Sequence, residues 1–164
     1  EPQRIAALLV ADIAPVAYPP HHNDVFAALE AVEQAQVESR AEASTLMAQH
    51  VAEEGVVQFL LTSLKRGDDG RYRWRFNLDV IRRDYGSVRE ALAGESWGGP
   101  VMFVKGGESD YVRSEHRQVI LQLFPEAQVK VMPGCGHWLH AEQPRLFNAI
   151  AGRFISEHLP PGGE

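Results

Sequence analysis

Hydrophobic positions divide the chain into three regions. Residues 5–10 form an unbroken apolar run, which is typical of a strand inside a parallel sheet that helices cover on both faces. Between about residues 20 and 93, apolar residues recur with helical period and predict a largely helical region. From residue 101 to 159 the pattern alternates between strand and helix. The sequence therefore predicts an α/β protein in which a block of helices follows the first strand.

Three apolar stripes predict the first three helices of the helical region. They comprise Phe26, Leu29 and Val32; Ala43, Leu46, Met47 and Val51; and Val56, Val57, Leu60, Leu61 and Leu64. The Gly-Asp-Asp-Gly sequence at 67–70 predicts a turn, and residues 71–76 alternate arginine with aromatic residues, which is the period of an extended segment. Asn77 favours the start of a short helix through Ile81, and a further helix is expected over residues 87–93.

Strand and helix alternate after residue 100. Residues 101–104 form a second buried strand, and Ser114 is expected to begin the helix that follows. Val129 and Val131 alternate with polar neighbours, which predicts a strand with one polar face near the edge of the sheet. The last helix is expected to begin near Pro144.

Composition excludes several classes of protein. The 164 residues are 45% hydrophobic and 23% charged, with a formal net charge of −6, which is ordinary globular composition. We expect no membrane association, because no apolar run approaches the roughly 18 residues of a membrane span. We expect no nucleic-acid partner either, because no block of Lys and Arg is present to neutralise phosphates. A single cysteine, Cys135, cannot form an internal disulfide, so a reducing, cytoplasmic location is expected.

Two loops that follow strands carry the candidate chemistry. Asp12 ends the first strand, and residues 134–144 join the last strand to the last helix. Within that second loop, His137 follows a Gly-Cys-Gly sequence whose glycines allow a sharp turn and leave the imidazole unobstructed. Catalytic groups of open parallel sheets gather at the carboxyl ends of the strands, so a catalytic base at His137 and a carboxylate partner are expected to meet there.

The second loop resembles the histidine loop of the α/β-hydrolases. Its sequence is Gly134-x-Gly136-His137-Trp138-x-His140-Ala141-Glu142-x-Pro144, and it is most similar to the YbfF-type carboxylesterase branch. Residues 10–19, 74–78 and 106–112 resemble the same branch, in the same order along nearly the whole chain. The chain is therefore identified as a member of that branch.

This resemblance implies a Ser-His-Asp hydrolase with a helical cap inserted after its sixth strand. It assigns residues 1–19 to a core strand and acid turn, 20–96 to the cap, 97–159 to the C-terminal core and 160–164 to a flexible tail. The family's nucleophile and oxyanion hole lie upstream of the sixth strand. The chain begins Glu-Pro-Gln-Arg without Met, so we expect a C-terminal fragment that is inactive alone. Its partners would be the missing N-terminal half of the hydrolase and a small-molecule ester substrate. No cofactor is expected.

Two residues are candidates for the catalytic acid that would orient His137. In most α/β-hydrolases the acid follows the strand represented here by residues 101–104, and alignment places Ser109 rather than Asp110 at that position. The YbfF-type branch instead implies the aspartate after the sixth strand, which is Asp12. We favour Asp12 and retain Asp110 as the alternative.

A second serine motif invites a different interpretation. Residues 94–98, Gly-Glu-Ser-Trp-Gly, match the G-x-S-x-G pattern of a nucleophile elbow. An elbow needs a strand before the serine and a helix after it, whereas here a helical pattern precedes Ser96 and a strand follows. We therefore interpret Ser96 as a linker residue, although a self-contained hydrolase using Ser96, Asp110 and His137 has the expected residue order.

The remaining candidates have simpler interpretations. Four histidines, at positions 21, 22, 137 and 140, lack the carboxylate or cysteine neighbours of a metal site, so no metal is expected. Cys135 is interpreted as a small side chain between glycines rather than a nucleophile.

Four aromatic residues are predicted to bind substrate. Tyr72, Trp74 and Phe76 either pack the cap or form an apolar wall for the acyl or alcohol group, and Trp138 follows the candidate base. The favoured function is that of a serine carboxylesterase fragment. The alternative is a non-catalytic α/β module, or a degenerate hydrolase fragment, that binds a partner.

Overall fold

The computed structural model describes residues 1–159, and the predicted tail at 160–164 lies outside the described residues. The chain divides into two compact units. The first comprises residues 1–17 together with the segment from residue 91 onwards, and the second comprises residues 18–90. Residues 91–96, which the sequence assigned to the cap, therefore group with the first unit. Within residues 1–159, no helix combines the length and the apolar character needed to cross a membrane.

Twelve helices and strands, with two short 3₁₀ turns at Pro2–Arg4 and Ser114–His116, make up the described chain. In order they are β1 (Leu8–Ala11), α1 (Asn23–Ala35), α2 (Arg40–Met47), α3 (Glu54–Leu61), β2 (Leu64–Arg66), β3 (Tyr72–Trp74), α4 (Leu78–Val88), β4 (Val101–Gly106), α5 (Arg117–Leu123), β5 (Ala127–Met132), α6 (Leu139–Glu142) and α7 (Pro144–His158).

A three-stranded parallel sheet forms the centre of the first unit. Its order is β1-β4-β5, with Val10 opposite Phe103 and Phe103 opposite Val129. One hydrophobic cluster contains Phe103 and Ile120 of α5, and a second contains Val104 and Leu139 of α6, with α7 residues packed against it. Successive residues of β4 thus point into different clusters, as the twofold period of a strand requires. This explains why β4 reads as continuously apolar in the sequence.

The two outer strands depart from their patterns. The strand predicted over residues 5–10 begins only at Leu8, after a 3₁₀ turn, and its residues are half-buried or exposed. Within residues 1–159, β5 pairs only with β4, as expected of an edge strand. Its Val129 and Val131 nevertheless remain about half exposed, at 53% and 50%. The reason is that β5 contributes only Ala127 to the cluster beneath α5.

Four helices and a two-stranded hairpin form the second unit. The helices α1, α2 and α3 bury the predicted apolar stripes in one cluster. Leu64, which the sequence assigned to the third helical stripe, instead begins β2 and lies opposite Trp74 in the antiparallel hairpin. The stripe continued past the end of α3 because the first strand residue is also buried in the cluster. The predicted turn at 67–70 joins the two strands, with Gly70 at a φ of +84°.

The last helix of this unit begins where the sequence predicted. The Asn77 side-chain oxygen accepts a hydrogen bond from the Val80 N–H at 3.0 Å and so caps α4. The two short helices expected from Asn77 to Ile81 and over residues 87–93 are replaced by the single helix α4, which ends at Val88.

Candidate active site

Asp12 occupies an exceptional position at the end of β1. Its backbone has a φ of +47°, in the left-handed region that residues other than glycine rarely adopt. Its side chain is 0% exposed, and its N–H donates to the Val104 carbonyl at 2.8 Å. A carboxylate removed from water in this way needs compensating hydrogen bonds, and a backbone strain of this kind is often found at functional sites.

Three groups supply those hydrogen bonds. One carboxylate oxygen, Oδ1, accepts from the Gly106 N–H at 2.9 Å. The other, Oδ2, accepts from the Ser109 hydroxyl and lies 2.9 Å from Nδ1 of His137. The structure therefore brings together Asp12 and His137, which are 125 positions apart in the chain.

This contact defines how the His137 imidazole is held. A carboxylate accepts hydrogen bonds, so this contact is satisfied by the imidazole tautomer that carries its proton on Nδ1 and presents a lone pair on Nε2. Nε2 makes no hydrogen bond within residues 1–159. The Tyr111 ring stacks on the imidazole at a centroid distance of 3.9 Å, and 41% of the His137 side chain remains exposed. An oriented imidazole with an available Nε2 has the form of a general base.

The loop around His137 packs tightly against the end of β4. A Cβ added to Gly106 would lie 2.1 Å from the Gly136 carbonyl oxygen, so only glycine fits there. The Glu108 N–H donates to the Cys135 carbonyl at 2.9 Å, which ties the two loops together. Gly134 turns the chain into the loop with a φ of +67°. These backbone contacts place His137 beside Asp12.

Comparison with known proteins shows the family to which the chain belongs. A sequence profile of the alpha/beta hydrolase family matches residues 3–150, which is most of the chain. The chain belongs to the alpha/beta hydrolase family. The family and the α/β fold class predicted from the sequence are thereby confirmed.

Relatives of the chain include proteins named as esterases and lipases. Esterase YbfF of Escherichia coli (strain K12) is 38% identical over 155 residues, which cover 94% of this chain and 59% of that protein. The sn-1-specific diacylglycerol lipase ABHD11 of Mus musculus is 35% identical over 162 residues, which cover 94% and 52%. A solved structure described as a marine microorganism esterase superposes with a TM-score of 0.85 at 33% identity, over 90% of this chain and 60% of that one. The chain thus spans between half and three-fifths of the length of these relatives.

The alternative acid lies in a different environment. The Asp110 side chain is 92% exposed, and its carboxylate lies 3.8 Å from the Arg113 guanidinium. The Asp12 carboxylate, in contrast, is buried and already occupies Nδ1 of His137. The geometry of the site thus favours Asp12 as the partner of His137, and the catalytic roles themselves stay predictions.

Ser96 does not lie on a nucleophile elbow. It is exposed, in an irregular segment that follows α4 and precedes β4. The strained strand–turn–helix geometry that lifts a nucleophilic serine is not formed there. Among residues 1–159, no three histidine, cysteine or acidic side chains come together in a way that could hold a metal ion.

The predicted substrate-binding aromatics lie in two places. In the second unit, Tyr72, Trp74 and Phe76 are half-buried against its core. The Trp74 indole donates to the Leu29 carbonyl at 3.0 Å and stacks on Phe76 at 5.4 Å. These contacts support the packing role of the three residues. Trp138 is half-buried next to His137 in the first unit. Binding of substrate by any of the four stays a prediction.

Three residues at the site carry contacts that the sequence did not assign to them. Ser109 binds the Asp12 carboxylate, Tyr111 stacks on the imidazole, and Glu142 accepts hydrogen bonds from the His137 loop. A signal for Ser109 was available, because it occupies the position where most α/β-hydrolases carry the acid. The Glu142 carboxylate folds back onto the N–H of Gly136, six residues earlier in the chain. No pattern of polar and apolar residues predicts this contact.

The Cys135 thiol is buried, whereas the neighbouring His137 imidazole is partly exposed. The reactivity of the thiol can therefore be tested. Burial raises the pKa of the Cys135 thiol, and the Glu142 and Glu108 carboxylates raise it further. We expect a disulfide reagent near neutral pH to label Cys135 on the order of 100-fold more slowly in the folded chain than in urea, which corresponds to an opening free energy of about 3 kcal/mol. Equal rates in the two states would show that the thiol is accessible.

Proposed function

We propose that this chain supplies the base and the acid of a serine carboxylesterase, with His137 as base and Asp12 as acid. The observation that carries the proposal is the 2.9 Å contact between the buried Asp12 carboxylate and Nδ1 of His137. A carboxylate in this position keeps the proton on Nδ1 and stabilises the imidazolium that forms when Nε2 takes a second proton. The names of the esterase and lipase relatives support ester hydrolysis.

The proposed reaction proceeds through an acyl-enzyme. Nε2 of His137 takes the proton from a serine hydroxyl supplied by polypeptide outside this chain, and the serine oxygen attacks the ester carbonyl. The tetrahedral intermediate then collapses, His137 protonates the departing alcohol, and the acyl group stays on the serine. Water, deprotonated by His137, attacks the acyl-enzyme carbonyl and forms a second tetrahedral intermediate. As this intermediate collapses and releases the carboxylic acid, His137 returns the proton to the serine oxygen. Asp12 remains ionised throughout.

The same proposal defines the partners of the chain. Its substrate would be a small-molecule ester, and its macromolecular partner the N-terminal half of the hydrolase that carries the serine and the oxyanion hole. The reaction needs no cofactor or metal. The second unit would supply the helical cap, with Tyr72, Trp74 and Phe76 contributing to an apolar wall for substrate. Neither nucleic acid nor membrane takes part, and the single cysteine favours a cytoplasmic location.

A chimaera tests this function directly. The part of E. coli esterase YbfF that precedes its match to this chain is fused in front of the chain, and hydrolysis of p-nitrophenyl butyrate is measured. We expect the chimaera to hydrolyse the ester, and the chain alone to give the background rate. His137→Ala in the chimaera serves as the matched control and is expected to return the rate to background.

Two outcomes would contradict the proposal. A chimaera that unfolds cooperatively, yet is no more active than its His137→Ala variant, would favour a non-catalytic module that binds a partner. Hydrolysis by the chain alone that is lost on Ser96→Ala would instead show that the nucleophile lies within the chain.

A further inference from the structure

One carboxylate holds the backbone on both sides of His137. The Glu142 side chain accepts the N–H of Gly136 through Oε2 at 2.7 Å and the N–H of Trp138 through Oε1 at 3.0 Å. These two amides directly precede and follow the candidate base. Hydrogen bonds to an ionised acceptor are stronger than those between neutral groups, so a single side chain restrains the backbone conformation of the loop.

The local helix explains why Glu142 reaches the loop. Glu142 is the last residue of α6, a single turn that begins at Leu139, and Leu139 is buried in the cluster on one face of the sheet. This turn directs the Glu142 carboxylate back over the residues that precede the helix. A Cβ added to Gly136 would lie 3.2 Å from Oε1 of Glu142, so the absence of a side chain at position 136 permits the close approach.

We propose that Glu142 is a positioning residue that holds the His137 imidazole on the Asp12 carboxylate. The inference rests on the proposed function of His137 and Asp12. The imidazole itself contacts the Asp12 carboxylate and the Tyr111 ring. The other hydrogen bonds of the loop backbone use the Cys135 and Trp138 carbonyl groups, so Glu142 is the group that binds the N–H groups on either side of His137. Without Glu142, the loop amides turn to water, and the imidazole samples orientations in which Nδ1 leaves the carboxylate.

The first test uses this chain alone and does not depend on activity. Nitrogen-15 NMR of the histidine rings measures the tautomer of His137, and hydrogen exchange measures protection of the Gly136 and Trp138 amides. We expect Glu142→Ala to mix the two tautomers and to speed exchange of both amides by about tenfold. Glu142→Gln, whose amide oxygen accepts one of the two hydrogen bonds, should give an intermediate result.

Glu157→Ala is the matched control, because it removes an exposed carboxylate whose partner among residues 1–159 is Arg153 on the same helix, α7. It is expected to leave the tautomer of His137 and both amides unchanged. A general loss of stability is separated from a positioning effect by the thermal midpoint, which should be similar in the two alanine variants. An unchanged tautomer and unchanged amide exchange in Glu142→Ala would overturn the proposal.

The second test uses the YbfF chimaera. We expect Glu142→Ala to lower kcat about tenfold and to leave KM within about twofold, because the substrate does not need the base to bind. A fall in kcat that Glu142→Gln partly restores supports positioning. If the chimaera is inactive with Glu142 in place, the proposed function fails, and the NMR experiment still decides whether Glu142 positions His137.

Discussion

Replacing Asp12 by Asn in the chimaera is expected to lower kcat about 10⁴-fold, with little change in KM. The amide keeps the size of the carboxylate but can present its NH₂ group to Nδ1 of His137. The imidazole then carries its proton on Nε2, which removes the lone pair that would accept the serine proton. Steady-state hydrolysis of p-nitrophenyl butyrate measures the effect, and circular dichroism checks that the variant is folded.

Asp110→Asn is the matched control for this experiment. Its carboxylate is almost fully exposed and faces Arg113, so we expect activity within about twofold of the parent. The double variant Asp12→Asn, Ser109→Asp adds a second check, because the Ser109 hydroxyl and the imidazole bind the same carboxylate oxygen. A carboxylate at 109 is therefore expected to recover part of the lost rate. A larger loss from Asp110→Asn than from Asp12→Asn would reverse the assignment of the acid.

Gly106→Ala is expected to have the largest effect on stability. Its new Cβ would lie 2.1 Å from the Gly136 carbonyl oxygen and 2.7 Å from the Cys135 carbonyl oxygen. Both are backbone atoms, so the clash is relieved only by moving the histidine loop away from β4. We expect a loss of about 3 kcal/mol in the free energy of unfolding, and a fall of about 9 °C in the melting temperature. Urea and thermal unfolding of the chain measure both quantities.

Gly152→Ala provides the control, because a Cβ at this position in α7 meets no atom within 4 Å among the described residues, its own helix backbone aside. Alanine favours a helix more than glycine does, so this variant should be as stable as the parent or slightly more so. If Gly106→Ala melts at the same temperature as the parent, the close approach of β4 and the histidine loop is wrong.

The sheet order explains how the pair at the site is assembled. Asp12 follows β1 and His137 follows β5, while β4 lies between these strands. The middle strand ends at Gly106, whose N–H binds the Asp12 carboxylate and whose missing side chain leaves room for the histidine loop. The acid and the base can therefore meet across an intervening strand only because that strand ends in glycine.

Patterns along the chain were sufficient for the elements with a strong and regular signal. The buried strand β4, the cap of α4 at Asn77 and the turn at 67–70 appear as predicted. The boundaries of helices and strands were predicted less well where a buried residue extends an apolar pattern past the end of a helix. Leu64 is such a residue, because it is buried with the α3 stripe but begins strand β2. Val129 lies in a strand, as predicted, yet it is half exposed. An apolar residue in a strand pattern does not by itself indicate whether a helix covers it.

By itself, the sequence determined the family, the α/β class and the two loops that carry the candidate acid and base, because these depend on local periodicity and on short motifs. The tertiary structure alone decided which carboxylate contacts His137, and how Ser109, Tyr111 and Glu142 surround the pair. The reason is physical: a hydrogen bond depends on angles and distances of a few ångströms between residues far apart in the chain. Strand order, register and a left-handed backbone at Asp12 set those distances, and no linear pattern encodes them.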